Sequence, residues 1–152
     1  MLSGDNMELP KQFNEQNAKN IFIYHYIEEL IASFSKYMDE NLDKTGISKV
    51  EFPFLVRIRF SEKTTQKELV ELFKVSEGYT AKLLRKFEDN GYITRKEDPS
   101  NRRVKIVELT SKGIEKTDEL SEIISNWESQ ISSNTTQKEI SQLKEVLFKL
   151  LI

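Results

Sequence analysis

The sequence predicts a mainly α-helical fold with one small β-hairpin. Three observations lead there. Apolar residues recur at three- and four-residue spacing through most of the 152-residue chain, as in amphipathic helices. Hydroxyl residues followed three places later by Glu, as in Thr65-Gln66-Lys67-Glu68, mark helix starts. Between Tyr92 and Leu109 the pattern changes to β-branched runs on either side of Asp98-Pro99-Ser100-Asn101, a strong turn signal.

In chain order, Glu15 to Leu42 reads as one long helix whose stripe is Ile27, Leu30, Ile31, Phe34 and Met38. Asp43 to Gly46 breaks it. Ser48-Lys49-Val50-Glu51 fits a capping box opening a second helix that runs to Arg59. Pro53 inside that span predicts a kink or a late start. The Thr65 box opens a short helix, Gln66 to Phe73, with Leu69, Leu72 and Phe73 inward. Lys74 and Val75 make a tight turn. Ser76 caps a further helix to Asn90, with Thr80, Leu83, Leu84 and Phe87 on one face. Gly91 is free to take the left-handed conformation that ends it.

Tyr92 to Glu97 and Val104 to Leu109 read as the two strands of a hairpin with a basic tip. Thr110 caps a long helix whose stripe is Leu120, Ile123, Ile124, Trp127 and Ile131. Ser132 to Thr136 interrupts it. A last helix carries Ile140, Leu143, Leu147, Leu150 and Leu151. The length suits a single domain over residues 1–152.

Composition removes several functions. The absence of cysteine excludes disulfides, thiol redox switching and thiolate metal sites. One histidine, His25, is too few for a catalytic zinc site and reads as a partly buried structural residue of the first helix. The chain has no glycine-rich phosphate loop, metal-ligand cluster or nucleophile–base pair, so neither an enzyme nor a cofactor is expected. No apolar run approaches the roughly 18 residues that span a bilayer. Met1 to Pro10 is polar and lacks a signal-peptide core, so no membrane association is expected and the expected address is cytoplasmic. Net charge is −2, yet Ser61 to Gly113 holds 12 Lys+Arg against 9 Asp+Glu, a local +3 that leaves −5 for the rest.

The order of elements in that basic segment carries the functional reading: short helix, tight turn, second helix, glycine, basic hairpin. This is a helix-turn-helix followed by a wing. The second helix suits the DNA major groove. With its apolar face inward, it shows Ser76, Tyr79, Lys82 and Lys86 outward. Ser76, Glu77 and Gly78 stand at its N-terminus, where backbone N–H groups favour phosphate, and Arg85 and Lys86 are placed to reach the flanking backbone. The hairpin holds Arg95, Lys96, Arg102, Arg103 and Lys105, and an arginine-tipped turn suits the minor groove. Glu77 has two open readings: repulsion from phosphate, or acceptance from a cytosine amino group.

The stretch from Thr65 to Gly113 resembles the MarR family of bacterial and archaeal regulators. The resemblance lies in Asn90-Gly91-Tyr92-Ile93-Thr94-Arg95, Asp98-Pro99, Arg102-Arg103, and Leu109-Thr110 followed by Lys112-Gly113. It covers about a third of the chain. It implies a winged helix-turn-helix flanked by long dimerisation helices: residues 47–109 as the DNA-binding part, 15–46 and 110–152 as the dimerisation part. It implies a homodimer on pseudo-palindromic double-stranded operators, and the expected function is a sequence-specific transcriptional regulator, a repressor, with activation as the alternative sign. It also implies release by a small-molecule effector, aromatic or amphipathic. It places Tyr79 and Lys82 facing bases and Arg103 entering the minor groove; with the helix face and hairpin read above, the expected DNA-binding residues are Ser76, Gly78, Tyr79, Lys82, Arg85, Lys86, Arg95, Arg102 and Arg103. No ligand-binding residues are assigned, although Phe22, Tyr24 and Phe54 are candidates to line a pocket for an aromatic anion. The alternative function is a winged-helix module that binds protein without specific DNA binding, which the acidic pI of 5.6 favours.

Two positions depart from the family pattern. Asn101 stands where the family has Asp, the residue that buttresses the wing arginine by a charge-assisted bond. Tyr79 stands where a small hydroxyl residue is usual, and either alters base preference or packs against a neighbour.

Overall fold

The structure, a computed structural model, describes residues 8–152. Met1 to Met7, part of the polar segment read as lacking a secretion signal, lie outside the described residues. The chain divides after Asn41 into two compact units.

The first unit holds one long helix, α1 (Ile23–Asn41), eight residues shorter at its start than the sequence predicts. Asparagines account for the difference. Asn17 N–H bonds the Asn14 side-chain oxygen at 3.0 Å, and further three-residue turns run from Asn14 and Asn17. Side chains of this kind offer the backbone an alternative to the helical ladder. The Tyr26 hydroxyl donates to the Ala18 carbonyl at 2.7 Å and its ring meets Phe13 edge-on, so the turns fold back along α1. Met38 is the only buried residue of α1; Ile23, Ile27, Leu30 and Ile31 are exposed, and so is His25, which pairs with Glu28 at the surface instead of taking the partly buried place expected of it.

The second unit begins with a 3-10 turn, Asp43–Thr45, closed by Gly46 in the left-handed region. Helix α2 (Phe52–Ser61) follows with Pro53 in its first turn. Ser48 and Glu51 do exchange bonds as in a capping box, but residues 49–51 form a turn, so the proline produces a late start rather than a kink. After α2 come β1 (Lys63–Thr65), α3 (Gln66–Phe73) and α4 (Glu77–Asp89). The strands β2 (Ile93–Asp98) and β3 (Asn101–Leu109) precede α5 (Ser111–Ile131) and α6 (Gln137–Leu151).

The hairpin is the larger part of a three-stranded antiparallel sheet in the order β1-β3-β2. Strand β1, not anticipated from sequence, pairs Lys63 with Glu108, Thr64 with Val107 and Thr65 with Ile106. The β2–β3 turn is tighter than predicted, only Pro99 and Ser100, with an irregularity at Glu97/Asp98. The core gathers Leu55 and Ile58 from α2, Leu69 from α3, Leu84 and Phe87 from α4, Ile93 and Val107 from the sheet, and Leu120 from α5. Leu72, read as inward, is exposed. In α6 every described residue but Ile140 is exposed, including Leu143, Val146, Leu147, Phe148, Leu150 and Leu151. A helix with that apolar content gains its stability by covering its face, and this chain alone leaves it open.

Candidate DNA-binding site

The site is built on α3 and α4. Thr65 caps α3, accepting from the Glu68 N–H at 3.2 Å while Glu68 Oε2 accepts from the Thr65 N–H at 2.8 Å. The Thr64 hydroxyl donates to the same oxygen at 2.9 Å. These bonds, the Thr65 backbone bond foremost, hold the Glu68 carboxyl below the usual carboxylate range. Lys74 ends α3 in the left-handed region at φ 54°, and two residues later Ser76 caps α4, accepting from the Tyr79 N–H at 3.1 Å. The turn therefore has the short, locally capped form of a helix-turn-helix. Thr80, Leu83, Leu84 and Phe87 are buried as the periodicity predicts.

The opposite face of α4 exposes Ser76, Gly78, Tyr79, Lys82, Arg85 and Lys86. Their environments differ. A Cβ placed on Gly78 meets nothing within 4 Å, so the protein itself does not demand glycine there. Tyr79 does pack on a neighbour: its ring centroid lies 6.4 Å from that of Phe54, which is 4.3 Å from that of Phe73. It remains 42% exposed, so packing orients the ring without hiding it. Phe54 is buried in this cluster and is not open to a ligand, while Phe22 and Tyr24 are exposed on the first unit.

Two of the predicted DNA-binding cations are engaged within the protein. Lys86 pairs with Glu51, whose side chain is 6% exposed. Arg95 directs both Nε, at 3.0 Å, and Nη2, at 2.7 Å, to Glu88 Oε2 and is only 20% exposed. Arg95 therefore ties the last turn of α4 to β2. Among the described residues, Lys82, Arg85, Arg102 and Arg103 have no acidic partner within ion-pair distance.

At the wing tip Asp98 accepts from the Ser100 hydroxyl at 2.7 Å and its N–H at 2.8 Å. The hydroxyl bond and then the N–H bond keep its carboxyl below the usual range. Arg102 and Arg103 are both exposed, and as strand neighbours they point to opposite faces. Asn101 accepts from the Arg103 backbone N–H at 3.2 Å. It holds the strand backbone at Arg103, and among the described residues no bond runs from Asn101 to the Arg103 guanidinium.

The wing's base is stitched to α5. Thr110 caps that helix, accepting from the Gly113 N–H at 3.0 Å, and donates to the Gly91 carbonyl. Gly91 sits at φ +76°, the turn after α4 that favours glycine. Arg59 at the end of α2 reaches α5 through Asp118 at 3.1 Å and Thr117 at 3.3 Å. Sequence reading missed Glu51 and Glu88 because their partners lie 35 and 7 residues away, beyond any local pattern.

A capped helix pair, an exposed face on its second helix and a sheet with a basic tip define a winged helix-turn-helix protein. The MarR family model matches residues 47–105. The HTH-type transcriptional regulator BilQ of Clostridium symbiosum is 28% identical over 117 residues, 77% of this chain and 81% of the relative. A MarR transcriptional regulator from Methanosarcina mazei Go1, of known crystal structure, is 30% identical with a TM-score of 0.69, over 84% of this chain and 94% of that one. A mutant MarR from E. coli, crystallised with operator DNA, is 22% identical with a TM-score of 0.65, over 88% of this chain and 96% of that one; the likeness there is of fold. The chain belongs to the MarR family and is a transcriptional regulator with a DNA-binding winged helix.

Proposed function

We propose that this protein is a homodimeric, sequence-specific repressor of pseudo-palindromic operators, with α4 in the major groove and the β2–β3 wing in the minor groove. The observation that carries the reading is that Lys82 and Arg85 on α4 and Arg102 and Arg103 on the wing have no acidic partner among the described residues. In a chain of net charge −2, cations left unpaired on two neighbouring elements favour a polyanion. Lys82 and Tyr79 face bases, Arg85 and the N-terminus of α4 at Ser76 and Gly78 face phosphate, and Arg103 enters the minor groove.

The homodimer is supported by apolar surface that a single chain leaves exposed: Ile23, Ile27, Leu30 and Ile31 in the first unit, and the row from Leu143 to Leu151 in the second. Residues 15–46 and 110–152 then form the dimerisation part and 47–109 the DNA-binding part. Two-fold pairing makes the two recognition helices read inverted half-sites. A small aromatic or amphipathic effector releases the operator by binding one spacing of those helices more tightly than the other. The protein works in the cytoplasm; among the described residues, no helix is long and apolar enough to cross a membrane.

Selection from random duplexes, followed by footprinting, tests the reading. The expected product is two inverted half-sites about 10 base pairs apart, centre to centre, bound by a species that sediments as a dimer. A winged helix that serves a protein partner would select no sequence, and Arg102→Ala with Arg103→Ala would leave its function intact.

A further inference from the structure

We propose that Glu51 is a positioning residue for the recognition helix, and that Lys86, held by it, sets the attitude of α4 instead of contacting DNA. The proposal rests on the DNA-binding reading above. Among the described residues Glu51 is the only buried charged side chain, 5% exposed. Its two oxygens have separate partners. Oε2 accepts from the Ser48 N–H at 2.9 Å, and Oε1 receives the Lys86 ammonium from α4. Burial pushes its carboxyl up, but the Lys86 bond and then the Ser48 N–H outweigh that, leaving it below its ordinary range and ionised.

The asymmetry of burial decides where Lys86 stays. Its own side chain is 60% exposed and Glu51's only 6%, so the cost of parting the two falls on Glu51. Leaving Glu51 would strand a buried carboxylate without its cation, the costly way to break such a pair. Geometry gives the pair a purpose. The elements that α4 chiefly packs against are α3 and β2, and beyond the shared apolar core two long side chains of α4 reach the α2 region. One is the Tyr79–Phe54 ring contact in the first turn of α4; the other is Lys86–Glu51, two turns on. Two anchors separated along a helix restrain its rotation about its own axis. That rotation decides whether Tyr79 and Lys82 point at base edges.

The test uses the full chain and a duplex selected by the unaltered protein. Glu51→Gln, Lys86→Met, the double variant and Lys86→Arg are titrated across a salt series, at a temperature where unfolding curves show each fully folded. The expected result is that Glu51→Gln and Lys86→Met each weaken binding about tenfold, and that the double variant is no weaker than either, as for coupled partners. Discrimination against a scrambled duplex should fall with the affinity, the salt slope should stay unchanged, and Lys86→Arg should restore most of both. Lys86→Met lowering the slope by about one while Glu51→Gln leaves affinity alone would make Lys86 a phosphate contact and overturn the proposal. Unchanged affinity and discrimination in all folded variants would overturn it too, reducing the pair to a stability contact. An unaltered protein that selects no duplex refutes the DNA reading itself, and the proposal falls with it.

Discussion

Gly113, at the start of α5, lies directly against the carbonyl of Tyr92: a Cβ placed on it would fall 2.0 Å from that oxygen and 2.9 Å from its carbon. Both obstructing atoms are backbone, held by the Thr110 N–H bond to the Tyr92 carbonyl at 2.9 Å. Only the absence of a side chain lets α5 start where the wing ends.

Gly113→Ala should therefore cost about 3 kcal/mol, the upper end for overpacking, because backbone has to move. Gly46→Ala is the control. That residue has φ +74° but nothing within 4 Å of a new Cβ, so the cost is conformational only, about 1 kcal/mol. Urea unfolding of both variants checks the contrast. Equal losses would mean that the close approach at Gly113 is not there.

Gly78 should behave in the opposite way. It lies in the first turn of α4 with open space around it. Gly78→Ala should raise stability by about 0.5–1 kcal/mol, since alanine is the better helix former. The same methyl points from the helix end proposed to face phosphate, so DNA affinity should fall while the melting temperature rises. A variant that is more stable and binds equally well would remove Gly78 from the interface.

Acid should weaken the fold in a way assignable to Glu68. Its folded carboxyl titrates below its ordinary value, chiefly through the Thr65 N–H and then the Thr64 hydroxyl. The folded state thus binds the proton less readily than the unfolded one. The stabilisation is present above the unfolded pKa and is lost as pH falls through the lower, folded value. The stability gap between the native chain and Glu68→Gln should be constant near neutrality and shrink with acidification into the carboxylate range. A gap independent of pH would show that the capping box owes nothing to the charge.

Legibility in the sequence followed the range of the forces involved. The start of α3 at Gln66 is readable because Thr65 and Glu68 settle it within four residues. The Ser76 cap and the buried face of α4 were readable for the same reason. Strand β1 was not, because Lys63-Thr64-Thr65 has no apolar alternation and exists only through pairing with residues 106–108. The start of α1 was misjudged because the turns around Asn14 and Asn17 win over helical propensity. In the candidate site, every predicted residue on α4 is exposed. Periodicity reports which way a side chain points, however, and not what it meets. That Lys86 and Arg95 meet Glu51 and Glu88 is a property of the folded chain.

The central claim is that Lys82, Arg85, Arg102 and Arg103 form one DNA-binding surface. Fluorescence polarisation across a salt series, with a duplex from upstream of the protein's own gene and a scrambled duplex, tests it most directly. The account predicts binding to the first at least about a thousandfold tighter, with log K falling linearly in log salt. It also predicts that Arg102→Ala with Arg103→Ala reduces that slope by about two. Equal, weak binding of both duplexes, with a slope the double substitution leaves unchanged, would contradict it.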